Sequence, residues 1–372
     1  MMPDHRVQNT SSKQALTTAA VLARFGIIGA VLLGVAGAFA YTGGLLSPNR
    51  LTQTRAMAVF EQAGGRHPGF RRNHAKGVCV AGWFESNGQA VALSNAAVFK
   101  PGRIPIVGRF AISGDMAFQA DKPATVRSMA LRFMLPGAEE WRTGMNNVPV
   151  FVANSAQGFL DEVLASVPDP ITGKPDPAKM KLFLADHPES VRAIAVIMKT
   201  PLSSGFADAT YHSLNAFRMI NAAGKTIPVR WATVPVQPFK SEEAGQTADQ
   251  NYLFDDLTAQ LGQHPLLWRL VITIGQPGDP TNDATLPWPA DRVHVDAGTV
   301  TLDEVSSEET GRCTDVNYDP LVLPPGIEPS DDPLLSARSA AYSRSFTLRA
   351  AEKDEKSPSA ITPADIKQRG KL

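Results

Sequence analysis

The most pointed spacing in the chain lies near its C-terminus, where Arg338, Tyr342 and Arg349 sit in the run DPLLSARSAAYSRSFTLRA. Separations of four and seven put all three on one stripe of an α-helix. A cation beside a phenol favours the phenolate, and a phenolate is a hard, anionic oxygen ligand suited to ferric iron. An amphipathic helix with a solvated arginine edge has the same pattern. Far upstream, Arg71-Arg72-Asn73-His74-Ala75-Lys76-Gly77 runs into the apolar stretch VCVAGWF. A histidine there could act as a general base for a peroxide, moving a proton from one oxygen to the other; a lone histidine more often only satisfies backbone groups. The run Gly144-Met145-Asn146-Asn147-Val148-Pro149-Val150-Phe151 offers an amide that could hydrogen-bond the same substrate. It also suits a turn, which Asn and Gly favour. Arg109, between Gly108 and Phe110, and Arg127, beyond Ala120-Asp121, could hold carboxylates bidentately if they point inwards.

Strands must position most of these residues. VCVAGWFES and AVALSNAAVF read as a pair joined at the hairpin signal Asn87-Gly88. IPIVGRFAIS, ATVRSMALRFML and VPVFVAN read as further strands. AFRMIN and KTIPVRWATVPV form a second hairpin through Ala222-Ala223-Gly224, and LLWRLVITIG is another strand. Helical patterns cover LTQTRAMAVFEQAGG, PAKMKLFLADHPESVRAIAVIM, QNYLFDDLTAQLG and the stretch from Pro333 to about Ala351. Residues 276–332, rich in Pro, Asp and Gly, read as extended wrapping structure, and 352–372 as a mobile tail. Without internal repeats or a strand–helix alternation, the expectation is an antiparallel sheet or barrel with inserted helices.

The N-terminus carries a different signal. No charged residue occurs from Phe25 to Asn49, and the run FGIIGAVLLGVAGAFAYTGGLL is long enough to span a bilayer, which takes roughly 20 residues. Arg6, Lys13 and Arg24 precede it, which favours a cytoplasmic N-terminus. The reading is a cytoplasmic tail over 1–22, a transmembrane helix or uncleaved signal anchor over 23–46, and a domain over 47–351 on the periplasmic or extracytoplasmic side. Ala38-Phe39-Ala40 also fits a cleavage site, so release into the periplasm after signal cleavage stays open. Lys+Arg and Asp+Glu both total 36, a balance that gives no footprint for a nucleic-acid partner. Cys79 and Cys313 lack the spacing of a metal site or a disulfide framework. They are expected unpaired, with pairing open for an exported chain.

Taken together and in order, these runs resemble the catalase superfamily. RRNHAKG resembles the family's R-x-x-H-A-K-G, and QADKPATVRSMALRF its S-A-D-x-x-R-D-P-R-G-F-A-x-K-F without a gap. GMNNVPVFV is similar to G-N-N-T-P-V-F-F, shifted by one residue at the Gly, and Arg338, Tyr342 and Arg349 match a final R-x-x-x-Y with an Arg seven residues on. The resemblance runs from roughly Ala56 to Arg349. It implies an α+β fold, a catalase-like antiparallel eight-stranded β-barrel with surrounding helices, preceded here by the N-terminal transmembrane helix. It also implies haem b (iron protoporphyrin IX), held through a tyrosine as is established for catalases. By that resemblance Tyr342 is the iron ligand and Arg338 its partner. His74 is the distal acid/base and Asn146 the distal hydrogen-bond donor. Arg71, Arg109 and Arg349 hold the propionates, and Phe151 packs on the porphyrin.

The departures are informative. The family's Arg-Phe-Ser is Arg109-Phe110-Ala111, so the hydroxyl expected beside the distal histidine is missing. Val152 replaces the second of two aromatics, and Ala153-Asn154-Ser155 stands for Ile-Arg-Asp. The family's C-terminal helical domain and its tetramer-locking N-terminal arm have no counterpart. These features resemble the short catalase-related peroxidase branch. They imply a monomer or homodimer that reduces organic hydroperoxides and hydrogen peroxide at the expense of an unidentified electron donor. A lipid hydroperoxide isomerase, a true catalase, and a haem carrier or sensor that binds without turnover are the alternatives.

Overall fold

The computed structural model describes residues 17–42, 51–122, 125–169, 172–242, 250–355 and 359–370. It divides into two units, Met1–Thr52 and Gln53–Leu372. The first contains helix α1 (Thr18–Thr42), which buries none of its residues and is long and apolar enough to cross a membrane. It begins ahead of the expected position 23 because Thr18–Leu22 is already apolar and rich in alanine. Residues 1–16 of the expected cytoplasmic tail and 43–50 lie outside the described residues.

The second unit follows from two-residue alternation. Successive side chains of a strand point to opposite faces. In strands β1 (Gly77–Ser86), β2 (Gly102–Ile112), β3 (Arg127–Met134) and β4 (Glu140–Asn146), one face carries Val78, Phe84, Ile106, Phe110, Met129, Phe133, Trp141 and Met145 into a single core. β1 continues to β9 (His294–Ser307), then β8 (Leu266–Ile274) and β7 (Thr226–Pro235). The two-residue β5 (Tyr211–His212) joins β7 back to β4. Eight antiparallel strands thus close a barrel, and β6 (Phe217–Ile220) and β10 (Ile327–Pro329) extend from β7. Phe133 stacks on Trp141 with ring centroids 4.7 Å apart, and Trp141 meets Trp231 edge-on at 5.1 Å. Burial of each large apolar side chain contributes about 1.5–3 kcal/mol. Large apolar side chains fill this core.

Helices cover the barrel wall. α2 (Gln53–Gly64), α3 (Ala156–Ala165) and α7 (Pro333–Ala351) pack together. α4 (Pro177–Asp186) and α5 (Pro188–Ile197) are two helices where one long pattern is expected, because Pro188 has no N–H to continue the first. α6 (Tyr252–Gln263) and α8 (Pro363–Arg369) lie together against β9.

Several segments differ from their sequence reading. AVALSNAAVF is two short 3-10 turns instead of a strand. Ser94 Oγ accepts from Ala96 N and donates to Gly326 O, local bonds that compete with a sheet ladder. VPVFVAN is a loop, and the preceding EWRTGMN is the strand, β4. The stretch 276–332 contains the fourteen-residue β9, hidden by Asp296-Ala297-Gly298. Gly298 has φ 139° at a register shift, and a Cβ there would lie 2.2 Å from Glu85 O. Residues 359–370 are a docked segment, where a mobile tail was expected. Ile361 is buried in the barrel core and its carbonyl accepts from Ser307 Oγ at 2.7 Å. Cys79 and Cys313, expected unpaired, form a disulfide across a Cα separation of 5.3 Å. That separation is within the range a disulfide requires, and only the three-dimensional fold creates it.

Candidate active site

The strand register places two rows across the outer face of the barrel. One runs Gly77, Ala111, Ser128, Asn146 and His212, each directly opposite the next. The other runs Cys79, Arg109, Ala130 and Gly144. His74 precedes β1 with φ 53°, in the left-handed region that non-glycine residues rarely adopt. Asn73 Oδ1 holds this turn by accepting from His74 N at 2.7 Å and Gly114 N at 3.3 Å. His74 Nδ1 lies 3.1 Å from Ser128 Oγ, which lies 2.5 Å from Asn146 Oδ1. Burial, and then Arg109, lower the His74 pKa to about 4; Arg338 and Arg71 act in the same direction, while a backbone hydrogen bond at Ile112 opposes them.

Helix α7 supplies the opposite wall. Its start is set by Pro333 and by Asp332, whose Oδ1 caps Leu334 N. The Asp332 carboxylate also accepts from Asn215 Nδ2 at 2.8 Å, and Asn215 Oδ1 in turn accepts from Arg338 Nη1. Arg338 Nη2 donates to Gly144 O at 3.2 Å. This chain of bonds roots the guanidinium in the N-cap of its own helix. One turn on, the Tyr342 hydroxyl stands over Gly144, 3.2 Å from where a Cβ would lie. The Tyr342 ring also packs toward the cluster of Cys79, Val107, Cys313, Val316 and Tyr318.

A third group surrounds a cavity lined by Arg71, Glu308, Thr314 and Arg349. Glu308 binds Arg109 bidentately, with both N···O distances 2.8 Å. Burial alone would raise the Glu308 carboxyl, but Arg109, with Arg71 and Arg349 acting in the same direction, holds it below the usual range. Arg71 Nη2 donates to the carbonyls of Cys313 at 3.1 Å and Val316 at 3.2 Å. Arg349 Nη1 donates to Thr314 O at 2.8 Å. Arg71 Nη1 and Arg349 Nε are buried with no hydrogen-bond partner among the described residues. Burial, and then Arg71, lower the Arg349 pKa to about 9. Three guanidiniums against one carboxylate leave two positive charges in excess, an arrangement that favours anionic ligands.

The structure therefore brings His74 and Asn146 together, and Arg338 and Tyr342 together. It groups Arg71, Arg109 and Arg349, although Arg109 is already engaged by Glu308. Phe151 packs at a tilt against Phe159 of α3 with centroids 5.0 Å apart. Arg127 does not join them. It donates to Ser203 O and Gly205 O and pairs with Glu242. Asp121 forms a buried pair with Lys76 at 2.7 Å. Ser128, Glu308, Asn215, Asp332 and His212 escaped the sequence reading. For Ser128 a signal existed in the motif itself, since serine stands where the family's S-A-D-x-x-R-D-P-R-G-F-A-x-K-F has glycine.

The family model for catalase matches residues 56–365. The chain belongs to the catalase family. Within it, the chain falls in the short catalase-related peroxidase branch and is an oxidoreductase acting on peroxide. This catalase-family chain is 37% identical over 301 residues to the catalase-related peroxidase of Synechococcus elongatus, covering 80% of the chain and 89% of that protein. It is 32% identical over 302 residues to the catalase-related peroxidase of Mycolicibacterium paratuberculosis, covering 80% of the chain and 95% of that protein. Among solved structures it is similar to a fungal catalase, with a TM-score of 0.69 at 20% identity, covering 79% of this chain and 61% of that one. It spans about three-fifths of the length of that catalase. Members of the catalase family bind haem.

Proposed function

We propose that this chain is a haem b peroxidase that reduces hydrogen peroxide and organic hydroperoxides, as a monomer or homodimer, with Tyr342 as the iron ligand. The observation that carries the reading is the placement of the Tyr342 hydroxyl, beside Arg338 and over Gly144, next to the row that holds Asn146 and the Ser128 contacted by His74. The residues fit a haem. Tyr342 offers one phenol oxygen near the Arg338 guanidinium, and Gly144 leaves it space. The unpartnered nitrogens of Arg71 and Arg349 suit two propionates, whose two negative charges match the excess left after Glu308 neutralises Arg109. An iron porphyrin bound there supplies the two-electron cleavage of an O–O bond.

The chain's own residues do the rest. His74, neutral across the physiological range, takes the peroxide proton at Nε2 and hands it to the departing oxygen. Asn146 donates from Nδ2 to the substrate. Arg338 stands near the Tyr342 oxygen. Phe151 and Phe159 form an apolar wall. An electron donor, unidentified in kind, completes the cycle. We place the domain outside the cytoplasm on the anchor of α1. The Cys79–Cys313 disulfide supports export, since such bonds persist in oxidising compartments. The test is a comparison of rates for the haem-loaded chain with hydrogen peroxide and cumene hydroperoxide. Oxidation of a dye co-substrate is expected to exceed oxygen evolution from hydrogen peroxide. Equal or greater oxygen evolution would overturn the ranking of peroxidase over catalase activity.

A further inference from the structure

We infer that Ser128 is a positioning residue whose single hydroxyl proton sets both the tautomer of His74 and the orientation of the Asn146 amide. The inference rests on the peroxidase reading above. Ser128 Oγ lies between the two groups, 3.1 Å from His74 Nδ1 and 2.5 Å from Asn146 Oδ1. A hydroxyl has one proton and two lone pairs. Asn146 Oδ1 can only accept, so the proton points there. His74 Nδ1 then faces a lone pair and must itself carry a hydrogen. A neutral imidazole has one N–H, so Nε2 is left as the acceptor. With Oδ1 held by Ser128, the amide presents Nδ2–H elsewhere, as a donor. One acceptor and one donor together suit a hydroperoxide, which has an O–H to give and an oxygen to receive. The reverse arrangement fails on both counts. If Ser128 donated to His74, Nε2 would carry the hydrogen and the amide would have to turn over.

The position on the sheet explains why this residue can serve both. Ala111, Ser128 and Asn146 are consecutive partners across β2, β3 and β4. A hydroxyl at 111, where the family motif has serine, would stand one strand further from Asn146, a spacing of about 4.8 Å. It could reach the histidine but not the amide. Here the hydroxyl sits at 128, where the motif has glycine, and couples the two groups directly. Ser128 is nearly buried, so water does not easily substitute for it.

Cyanide association with the haem-loaded full-length chain tests this, because HCN must give its proton to the distal base as cyanide binds. In Ser128→Ala the association rate is expected to fall on the order of a hundredfold, with a changed pH dependence and an unchanged haem content. Ser128→Thr, which keeps the hydroxyl, should restore both. If the alanine variant fails to fold, Ser128→Gly, the residue of the family motif, carries the test. A wild type that takes up haem and binds cyanide, with hydroxyl-free variants that match it in rate and pH profile, overturns the role of Ser128 and leaves the peroxidase reading standing. A wild type that takes up no haem overturns that reading itself.

Discussion

The Tyr342 hydroxyl lies 3.2 Å from the point where a Cβ on Gly144 would begin. The β4 strand and the α7 helix therefore meet at a place where only glycine leaves the phenol undisturbed. Gly144→Val is expected to push Tyr342 and Arg338 aside and to lower haem affinity by roughly tenfold, about 1.4 kcal/mol. The side chain would face outward from the barrel, so the fold should survive. The ratio of Soret to protein absorbance, read beside a far-ultraviolet melting curve, checks this. Undiminished haem in a folded variant would show that Gly144 is not a cradle.

Proton uptake by His74 has a defined pH window. Its pKa is lowered from 6.5 to about 4, first by burial and then by Arg109. Turnover is expected to show its acid limb near pH 4 and not near 6.5. The same shift makes stability fall with acidification. Between pH 6.5 and about 4 the unfolded chain binds a proton at this residue while the folded chain does not. Above that window the site contributes nothing to the pH dependence, and below it the loss is complete. His212, lowered to about 4 by burial, acts in the same direction. A turnover profile with an acid limb between pH 6 and 7 would contradict the assignment.

The three arginines of the cavity should separate by phenotype. Arg71→Leu and Arg349→Leu each remove one nitrogen without a partner among the described residues, together with the bonds to the Cys313, Val316 and Thr314 carbonyls. Each is expected to weaken haem retention, with a smaller fall in the melting temperature of the haem-free chain than Arg109→Leu gives. A hydrogen bond to a charged group is worth about 1.5–3 kcal/mol, so retention should drop by tenfold or more. Arg109→Leu leaves Glu308 buried and unpaired, which costs about 3–5 kcal/mol. Its melting temperature should fall most. Identical behaviour of all three would refute the distinction.

Reduction of Cys79–Cys313 should matter to the site as well as to the fold. The bond joins β1 to a segment whose Cys313 and Val316 carbonyls hold Arg71. Its loss typically costs about 2–4 kcal/mol. Cys79→Ala with Cys313→Ala is expected to melt lower and to release haem faster. A pair of variants with wild-type melting and haem retention would exclude this role.

What was legible before the structure depended on whether a signal was local. Arg338, Tyr342 and Arg349 stand out because helical spacing is a property of one segment. His74 and Asn146 lie in short runs with their own motif. Ser128, Asn215 and Glu308 are different. Their meaning comes from partners across strands or far along the chain, such as Ala111 for Ser128 and Asp332 for Asn215. Strand register and loop packing create those pairs, and neither is written in any one run of residues. β4 was hidden because its outward Arg142 and Gly144 broke the apolar pattern, although Trp141, Thr143 and Met145 point inward. β9 was hidden by the bulge glycine at 298. The docked C-terminal segment is held by Ile361 and Ile366, two apolar residues in a charged stretch.

The most direct test of the account is the optical spectrum of the haem-loaded chain beside Tyr342→Phe. Ligation by Tyr342 predicts a high-spin ferric spectrum of the phenolate type in the wild type, lost or altered in the variant. A wild type without bound haem, or a variant with the same spectrum, would contradict ligation by Tyr342 and the mechanism built on it.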